Sequence, residues 1–515
     1  MKKLFTWGLL LSLFITACKQ EAGEFGKLTS IVVTPQDLRL HVGATKSLVA
    51  QPFPANAGNV SFTWAVENPK IATISPEGWL TALSAGTTRV TVRGGGLEHS
   101  VLVTVNHTLL VPVSGTVHTA DTIDYSQLSE GVKWLKFSLP DFVNEAGTLG
   151  KGLVVNMIEV DLSVKDNKLE VWSALPSRQV NRERPTVVHN RKTIEYGAQG
   201  RKPLVVINGD YYLLPATNNS GYAYIDNRPH GMEATNGMLV QTPNVWLNGL
   251  VMGGNSKPAH GNVAFSGEVY AANSSFHLSE VNGYSTQGGL VLFNSLASAY
   301  ATQAPFAWSP YTSTMVSLSQ PEGGWRMNGR MTFTVTAVEH GIETAIPAQA
   351  PYKGKDFSDQ GAVLVGNGAA SGNTSQAFLS TLKTGDKIGI RTDVKLNDKI
   401  ISDPLPNIIG YQAAVLENGI VLNPFNDIHP RTAVGYSRDS SKFYLVVIDG
   451  RQANYSVGAT TGQAGDILKA LGAHFGVNLD GGGSSCMTVN GQITNRPSDG
   501  AERAVANGIL ISVKK

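Results

Sequence analysis

The turn at residues 480–485, with the sequence DGGGSS, constrains this chain more than any other segment. Glycine costs backbone entropy wherever it lies, so three in a row indicate positive φ angles or a ligand that approaches the backbone N–H groups. We therefore interpret the segment as a binding or catalytic turn. The alternative is a tight structural turn in which Asp480 caps backbone amides.

The residues before this turn predict a helix and then a buried strand. Thr460 can cap a helix whose apolar side chains recur with helical spacing over residues 464–471, and Gly472 can close it. The following run, FGVNL at residues 475–479, is suited to a buried strand. Asp480 is then expected at a strand end, where a rigid element positions a side chain and the turn leaves it accessible.

Length and composition indicate several β-rich domains. A chain of 515 residues exceeds one average domain. Charged residues make up 16% of it, against roughly 25% in typical soluble chains, and its 55 glycines supply many turns. The formal net charge of +2, without a long basic run, gives no electrostatic case for nucleic-acid binding.

The start of the chain predicts a lipoprotein signal peptide over residues 1–17. Two lysines precede a mostly apolar stretch, and the motif ITAC, which ends at Cys18, resembles the lipobox of bacterial lipoproteins. The apolar stretch is too short to span a bilayer comfortably. In its resemblance to lipoproteins of Gram-negative bacteria, Lys19 rather than Asp after a lipidated Cys18 implies an anchor in the outer membrane. Unchanged membrane association of a Cys18→Ala variant would count against this anchor. The alternative is a plain secretory signal.

The second cysteine lies directly after the DGGGSS turn. If Cys18 carries lipid, Cys486 is the only thiol left, so the mature chain can form no internal disulfide. Its position leaves a nucleophilic role open. The alternating context, SCMTV at residues 485–489, favours a small buried side chain.

Residues 27–106 predict a β-sandwich that follows a short tether at residues 18–26. Eight short runs with strand patterning are broken by Pro, Gly and Asn in this segment. The segment resembles the bacterial group 2 immunoglobulin-like module in four features, which are Trp64, ATI at residues 72–74, GWLTA at 78–82 and AGTT at 85–88. The resemblance implies a spacer or adhesive unit, and we expect no catalytic residues in it.

Residues 107–515 are predicted to form a larger, strand-rich α+β domain. Within it, unusual polar residues follow buried runs or cluster near the C-terminus, as in Asn208 with Asp210, His429 with Arg431, Asp449 with Arg451, Asn478 with Asp480, and Glu502 with Arg503. Each pair alone is explained equally well by a capped turn or a surface ion pair. The weakly periodic stretch at residues 255–360 is interpreted as an insertion, in part lid-like.

The combination of arginines, hydroxyls and glycines at these turns favours an anionic ligand such as phosphate or carboxylate. Several carboxylates in the same set would repel that anion, so at least one is expected to activate water, attack carbon or hold sugar hydroxyls. The residues thus indicate hydrolysis of a phosphorylated carbohydrate. No Gly-Lys-Ser/Thr follows the glycines, which excludes a Walker loop and with it kinase and NTPase functions.

Five blocks of the larger domain resemble the phosphodiester glycosidase family, and they occur in the family's order. They are NGDYY at residues 208–212, HPRTAVG at 429–435, DGR at 449–451, NLDGGGSS at 478–485, and NRP at 495–497 leading to ERAVAN at 502–507. The resemblance spans residues 150–515. It implies cleavage of the C1–O bond between a sugar, such as N-acetylglucosamine, and a phosphate that stays esterified to another group.

The resemblance also implies roles for these residues. The leaving phosphomonoester is already a weak base, so stabilisation by the cations Arg431, Arg451 or Arg503 can replace a strong general acid. Whether the configuration at C1 is inverted or retained depends on the separation of the carboxylates, so both mechanisms stay open.

Asp480 or Asp449 is expected to act on the anomeric centre or its water, with Glu502 as the next candidate. His429 is expected to bind phosphate or to donate a proton. Other residues are expected to position the sugar, the phosphate or the loop, and these are Asn208, Asp210, Asn478, Gly481, Gly482, Gly483, Ser484 and Ser485.

Two other functions stay open from the sequence. A surface lipoprotein could grip a glycan with the same turns and no turnover, using Tyr211, Tyr212 and Tyr455 as aromatic platforms. The second alternative is a metal-dependent phosphodiesterase that cuts the P–O bond. Because His-rich and Asp-x-Asp spacings are lacking, we expect no cofactor, although a divalent metal stays open.

Overall fold

The computed structural model of the chain describes residues 26–36, 38–41, 44–84, 86–106, 109–144, 149–174, 181–214, 216–217, 223–224, 227–254, 257–283, 288–296, 312–342, 361–370 and 372–515. The predicted signal peptide and Cys18 lie outside these residues, so the lipid anchor stays a prediction. Within the described part, no helix is long and apolar enough to cross a membrane. The chain divides into two compact units, Met1–Thr108 and Leu109–Lys515.

The described part of the first unit is built from short strands. They are β1 (Ser30–Thr34), β2 (Leu38–His41), β3 (Thr45–Ser47), β4 (Val49–Phe53), β5 (Thr63–Val66), β6 (Ala72–Ile74), β7 (Trp79–Ala82), β8 (Gly86–Gly94) and β9 (Leu97–Asn106). Their sheets have the orders β1-β4, β2-β9-β8-β5 and β3-β7-β6. Alternate residues such as Val90 and Val92 point into one apolar core.

These sheets confirm the predicted all-β immunoglobulin-like sandwich. One of the eight runs predicted from the sequence, residues 46–50, is divided between β3 and β4, because Leu48 turns into the core and its N–H donates to the Gly78 carbonyl at 2.8 Å. Strand β3 pairs with β7, whereas β4 pairs with β1, so the chain changes its partner strand at Leu48.

The second unit contains the remaining elements. In chain order they are β10 (Leu109–Val113), β11 (Thr116–Ser129), β12 (Val132–Val143), β13 (Lys151–Asp161), β14 (Lys168–Ser173), α1 (Pro185–Gly197), β15 (Arg201–Asn208), β16 (Ala216–Thr217), β17 (Ala223–Tyr224), β18 (Glu233–Thr235), β19 (Met238–Gln241), β20 (Asn248–Met252), β21 (Ala259–Ala271), β22 (Ser274–Leu278), β23 (Glu280–Val281), β24 (Leu290–Asn294), β25 (Ser313–Leu318), β26 (Gly329–Ile342), β27 (Ala362–Asn367), α2 (Ser375–Leu379), β28 (Lys387–Leu396), β29 (Lys399–Ile400), β30 (Asn407–Gly410), β31 (Ala413–Glu417), β32 (Ile420–Val421), β33 (Arg431–Tyr436), β34 (Lys442–Ile448), α3 (Thr461–Ala470), β35 (Phe475–Asn478), β36 (Met487–Val489), β37 (Gln492–Ile493) and β38 (Asn507–Lys514).

Three large sheets organise the second unit. A nine-stranded sheet has the order β10-β11-β12-β13-β34-β33-β35-β31-β32, and a five-stranded sheet has the order β14-β38-β15-β36-β37. The third runs β19-β18-β30-β20-β21-β28-β26-β25-β27-β24-β23 and also carries β22 and β29. One apolar core joins all three, since it contains Val447 of the first sheet, Ile207 of the second and Leu250 of the third. The strand-rich character predicted for this domain is confirmed.

Helix α3 confirms the prediction made from its capping signals. The Thr460 hydroxyl accepts from the Gln463 N–H at 3.2 Å, and the Gln463 side chain accepts from the Thr460 N–H at 2.9 Å, which completes a capping box. Gly472 adopts a φ of 107° directly after the helix. The buried side chains Ile467 and Leu468 pack against the nine-stranded sheet.

The stretch at residues 255–360 is built mainly of strands where it is described. Strand β21 pairs with β20 and β28, and β25 pairs with β27, so these strands are an integral part of the third sheet. Residues 255–256, 284–287, 297–311 and 343–360 lie outside the described residues. The periodicity is weak because strands such as β25 are buried at every position and do not alternate.

Candidate active site at the ends of three strands

The candidate site lies at one edge of the nine-stranded sheet. Strand β33 is antiparallel to β34 and β35, and Arg431 at its start lies opposite Ile448 at the end of β34. The start of β33 and the ends of its two neighbours therefore reach the same edge. Asp449 follows β34 directly and Asp480 lies two residues after the end of β35, so the structure brings these two predicted residues to the same edge.

Asn208, the last residue of β15, connects the five-stranded sheet to this edge. Its side-chain amide donates to the Asp480 carbonyl at 2.7 Å. Its side-chain oxygen accepts from the Thr432 hydroxyl at 2.8 Å and from the Cys486 N–H at 3.1 Å. In return, the Asp480 N–H donates to the Gly209 carbonyl at 2.8 Å. Because Asn208 is fully buried, these bonds form away from water and hold the loop in place.

The glycine-rich turn contains one turn of 3₁₀ helix, Gly482–Ser484. Gly482 has a φ of 60°, and a Cβ atom there would lie 3.1 Å from the Arg451 guanidinium. A Cβ atom on Gly483 would collide with the Arg503 guanidinium. The glycines therefore let two arginines approach the backbone of the turn, as the sequence predicts for an anion site.

The Asp480 carboxyl is almost completely buried, with the residue 9% exposed. It accepts a hydrogen bond from the Ser484 hydroxyl, and Arg503 contributes a favourable charge. Arg503 also lies 3.4 Å from the Ser484 hydroxyl and pairs with Asp499 at 2.5 Å. Burial outweighs the two favourable interactions and raises the pKa of Asp480 to about 7. A carboxyl with this pKa can exchange a proton near neutral pH.

Arg451 and His429 form a second polar pair beside the turn. The exposed Arg451 guanidinium donates to Nδ1 of His429 at 3.2 Å. Burial lowers the pKa of His429, and the charges of Arg451 and Arg431 lower it further. The ring is therefore neutral at neutral pH, which leaves its remaining nitrogen to carry the proton.

Arg431 is a buried cation that is tied to backbone oxygens. Its Nε donates to the Ala459 carbonyl at 2.9 Å, and another guanidinium nitrogen donates to the Asp427 carbonyl. Burial lowers its pKa from the ordinary value. Since these partners are neutral carbonyl groups, its positive charge adds to the attraction of this edge for an anion.

The structure places Asp449 as a support for the turn. One carboxylate oxygen accepts from Asn495 at 3.1 Å and from the Arg496 N–H at 3.0 Å, and the other accepts from the Tyr455 hydroxyl at 3.2 Å. Asn495 also donates to the Ser485 carbonyl at 3.1 Å. Burial raises the pKa of Asp449 to about 6. With both oxygens engaged, Asp449 is better suited to positioning than to attack, and Asp480 is the stronger candidate.

Glu502, the third predicted carboxylate, is held at the start of α1. It accepts from the Thr186 N–H at 3.0 Å and from the Thr186 hydroxyl. A carboxylate at this position satisfies the first turn of the helix and complements its dipole. The structure therefore gives Glu502 a capping role, which the sequence analysis did not anticipate because it did not predict α1.

Asn478 and Cys486 lie on either side of the turn. Asn478 donates to the Gln412 side chain at 3.0 Å, and the Tyr211 hydroxyl donates to the same oxygen at 3.2 Å. Cys486 is fully buried, and burial raises the pKa of its thiol. A buried, protonated thiol is a poor nucleophile, so the preferred interpretation as a small core residue is confirmed.

Asp210 is a second buried acid beside Asp480. One oxygen accepts from the Gly231 N–H at 2.7 Å, while the other has no hydrogen-bond partner among the described residues. Burial raises the pKa of Asp210 to about 8, and the negative charges of Asp480 and Glu233 act in the same direction. Asp210 is therefore protonated at neutral pH and is part of the buried floor of the site.

Glu233 extends this floor and was missed in the sequence analysis. It accepts from the Asn507 amide at 3.0 Å, and the Asn507 oxygen accepts from the Asp210 N–H at 2.9 Å. Burial raises the pKa of Glu233 to about 7. Glu233 lies in the short strand β18 with no local motif. The sequence signal that pointed to this part of the floor was its partner Asn507, the last residue of the fifth sequence block.

The described residues form no candidate metal site. Among the described residues, no group of three or more His, Cys, Asp or Glu side chains is arranged to hold a metal ion. The expectation about metals stays a prediction.

Comparison with known families identifies two domains. Residues 332–512 match the phosphodiester glycosidase family, and residues 27–105 match the bacterial Ig-like domain of group 2. Residues 332–512 are thus similar to the phosphodiester glycosidase family and residues 27–105 to the bacterial Ig-like domain, which are the two resemblances that the motifs indicate.

Individual relatives are similar over parts of the chain. The SPbeta prophage-derived uncharacterized protein YomE of Bacillus subtilis (strain 168) is 38% identical over 84 residues, which are 16% of this chain and 13% of that protein. Intimin of Hafnia alvei is 32% identical over 93 residues, which are 18% of this chain and 31% of that protein. The chain thus spans less than two thirds of either relative.

Two solved structures with low sequence identity support the fold, and a third is more distantly similar. A putative exported protein of Burkholderia pseudomallei K96243 has a TM-score of 0.57 at 15% identity and covers 78% of this chain and 98% of its own. A hypothetical protein from Synechocystis has a TM-score of 0.52 at 16% identity, and the match covers 95% of this chain and 80% of that protein. The catalytic domain of zebrafish N-acetylglucosamine-1-phosphodiester alpha-N-acetylglucosaminidase has a TM-score of 0.35 at 15% identity. This match covers 78% of this chain and 89% of that domain.

Asp210→Asn is expected to weaken the pH dependence of stability. The Asp210 carboxyl has a pKa of about 8 in the folded chain, against an ordinary value of 3.8. Between these values the folded state keeps a proton that the unfolded state loses, so the free energy of unfolding falls as pH rises. Asparagine has a similar shape and no titratable proton. The difference between the urea midpoints of Asp210→Asn and the wild type should therefore shift in favour of the variant as the pH rises from about 5 to about 8.

Asp439→Asn is the matched control for this experiment. Hydrogen bonds from Ser437 and Ser441 hold the pKa of Asp439 at about 2, below the measured window. This variant should leave the pH dependence between the two conditions unchanged. Parallel curves for wild type and Asp210→Asn would contradict the assignment of a buried, protonated Asp210.

Proposed function

We propose that the larger unit hydrolyses sugar-1-phosphodiesters of the N-acetylglucosamine-1-phosphate type. The reaction breaks the glycosidic C1–O bond, adds water across it, and releases the sugar and a phosphomonoester. The observation that carries the proposal is the buried Asp480 carboxyl beside a glycine-rich turn that Arg451 and Arg503 approach. The match of residues 332–512 to the phosphodiester glycosidase family supports the same class of reaction.

The two arginines are suited to hold the phosphate of such a substrate. Arg451 lies over Gly482 and Arg503 lies beside Gly483, so two guanidinium groups approach the same short turn. Guanidinium groups bind phosphate through paired N–H donors. As the C1–O bond breaks, negative charge increases on the leaving phosphate oxygen, and cations at this position stabilise that charge.

Asp480 is assigned the reaction at the sugar. A phosphate leaving group is a weak base and needs little help from a general acid, so the carboxyl is available as a carboxylate. In that form it attacks C1 directly or removes a proton from the attacking water. Asp210 and Asp449 then act as positioning residues, because one forms the buried floor and the other holds the turn through Asn495.

Asp480→Asn should abolish most turnover while the chain stays folded. Asparagine has a similar size but can neither attack C1 nor accept a proton from water, so we expect kcat to fall by roughly a thousandfold. The assay measures free N-acetylglucosamine released from methyl N-acetylglucosamine-1-phosphate, and thermal unfolding monitors the fold. Asp439→Asn makes the same substitution at a distant surface turn and should keep wild-type turnover.

The outcomes separate the alternatives. If the wild-type protein releases no sugar from a panel of sugar-1-phosphodiesters but still binds glycans, the carbohydrate-binding alternative replaces the enzyme. Wild-type turnover by Asp480→Asn would show that another group performs the reaction.

The pH–rate profile of the wild type should report the titration of Asp480. Its pKa is about 7, and the reaction needs the deprotonated form. We therefore expect kcat/KM to rise about tenfold per pH unit below that value and to level off above it. A profile that falls with increasing pH across this range would instead mean that Asp480 reacts as an acid.

A further inference from the structure

A group of aromatic rings begins at the candidate site and extends away from the glycine-rich turn. The Tyr211 hydroxyl donates at 3.2 Å to the Gln412 side-chain oxygen that also accepts from Asn478, and it interacts with the Gly481 N–H, so Tyr211 lies inside the site. Its ring centroid lies 6.1 Å from that of His230 and 5.5 Å from that of Trp246. His230 and Trp246 are 4.5 Å apart. We call Tyr211, His230 and Trp246 the aromatic cluster.

The aromatic cluster is fixed to the buried floor of the site through Gly231. The Gly231 N–H donates to the Asp210 carboxyl at 2.7 Å. A Cβ atom on Gly231 would lie 3.2 Å from both the Asp210 carboxyl and Cδ1 of the Trp246 ring. The backbone N–H of Trp246 donates to the His230 carbonyl at 3.4 Å. Trp246 is therefore packed against the same backbone that holds Asp210, next to Asp480.

Each residue of the aromatic cluster is partly exposed to solvent. The neighbours of Trp246 are apolar and even more open, since Val245 is 53% exposed and Leu247 is 52% exposed. Partly open aromatic rings beside convergent polar groups are typical of ligand sites. This surface is available to a ligand without a rearrangement of the core.

The other tyrosines considered as platforms have different surroundings. Tyr212 is only 8% exposed and packs in the core beside Trp172. The Tyr455 hydroxyl donates to Asp449, and its ring faces the Arg496 guanidinium at 5.1 Å. Of these three tyrosines, Tyr211 is the one that combines a hydroxyl in the site with an open aromatic neighbour.

We propose that the aromatic cluster is the subsite that holds the sugar ring, an inference that rests on the proposed function. A pyranose ring has an apolar C–H face that packs on an aromatic ring and hydroxyls that need hydrogen bonds. Trp246 supplies the ring, and the Tyr211 hydroxyl with the Asn478–Gln412 pair supplies polar partners. The phosphate then lies towards the arginines at the turn, and C1 lies at Asp480 between them.

Trp246→Leu should weaken binding of the sugar without slowing the chemical step. Leucine keeps an apolar side chain but lacks the aromatic face, and stacking on the sugar is present in both ground and transition states. We expect KM to rise about tenfold with kcat nearly unchanged, since one aromatic contact has roughly this effect. Trp246→Phe should stay within about twofold of the wild type because the ring is retained.

Inhibitor constants separate the two parts of the site. In Trp246→Leu, the inhibition constant of free N-acetylglucosamine should rise about tenfold, while that of inorganic phosphate should not change. The matched control is Trp79→Leu, which makes the same change at a tryptophan that is 54% exposed in the first unit. Its kinetic constants should equal those of the wild type.

Each outcome decides one question. An unchanged KM in a folded Trp246→Leu protein would overturn the subsite and leave the proposed hydrolysis intact. An equal rise of the inhibition constants of N-acetylglucosamine and phosphate would have the same meaning. Absence of wild-type turnover overturns the proposed function instead. If Trp246→Leu does not fold, tryptophan emission provides the test, because N-acetylglucosamine should change the emission of the wild type and not that of Trp246→Phe. The same change in both proteins overturns the subsite.

Discussion

The buried amide of Asn208 joins the two sheets that meet at the glycine-rich turn, and the geometry of the site depends on it. It bonds to the backbone of Asp480 and Cys486 and to the side chain of Thr432. Leaving a buried polar group without such a hydrogen-bond partner lowers the free energy of unfolding by about 1–3 kcal/mol. Three such partners fix the turn relative to both sheets, so Asp480 is held by the core and not only by its own loop.

This rigid frame explains how charged groups of both signs occur in a small region. Burial raises the pKa values of Asp480, Asp210 and Glu233, which reduces the negative charge near the turn. The arginines keep their charge, since guanidinium is not deprotonated near neutral pH. The edge therefore combines cations that attract an anion with a carboxyl that titrates near neutral pH.

Local signals made part of this arrangement predictable. The capping box of α3 and the glycine-rich turn are read from adjacent residues, and the strand before Asp480 has a clear apolar run. The roles of Glu502 and Glu233 were not predictable, because each depends on a partner more than 250 residues away. No local pattern connects residues that only the sheet topology brings together.

Trp246 was missed for the same reason, since its contact with Tyr211 depends on how the third sheet packs on the second. The stretch after residue 255 has weak periodicity in the sequence, because full burial of strands such as β25 removes the alternation by which strands are recognised. Sequence motifs thus located the residues that we propose to react, whereas the aromatic surface that we propose to bind the sugar is recognised only when the sheets are assembled.

The position of bond cleavage tests the central claim most directly. If Asp480 acts at the anomeric carbon while the arginines hold the phosphate, hydrolysis in ¹⁸O-labelled water must place the label on C1 of the released sugar and leave the phosphomonoester unlabelled. Mass spectrometry of both products from one reaction measures this. Label in the phosphate would show that the P–O bond breaks and would contradict the account.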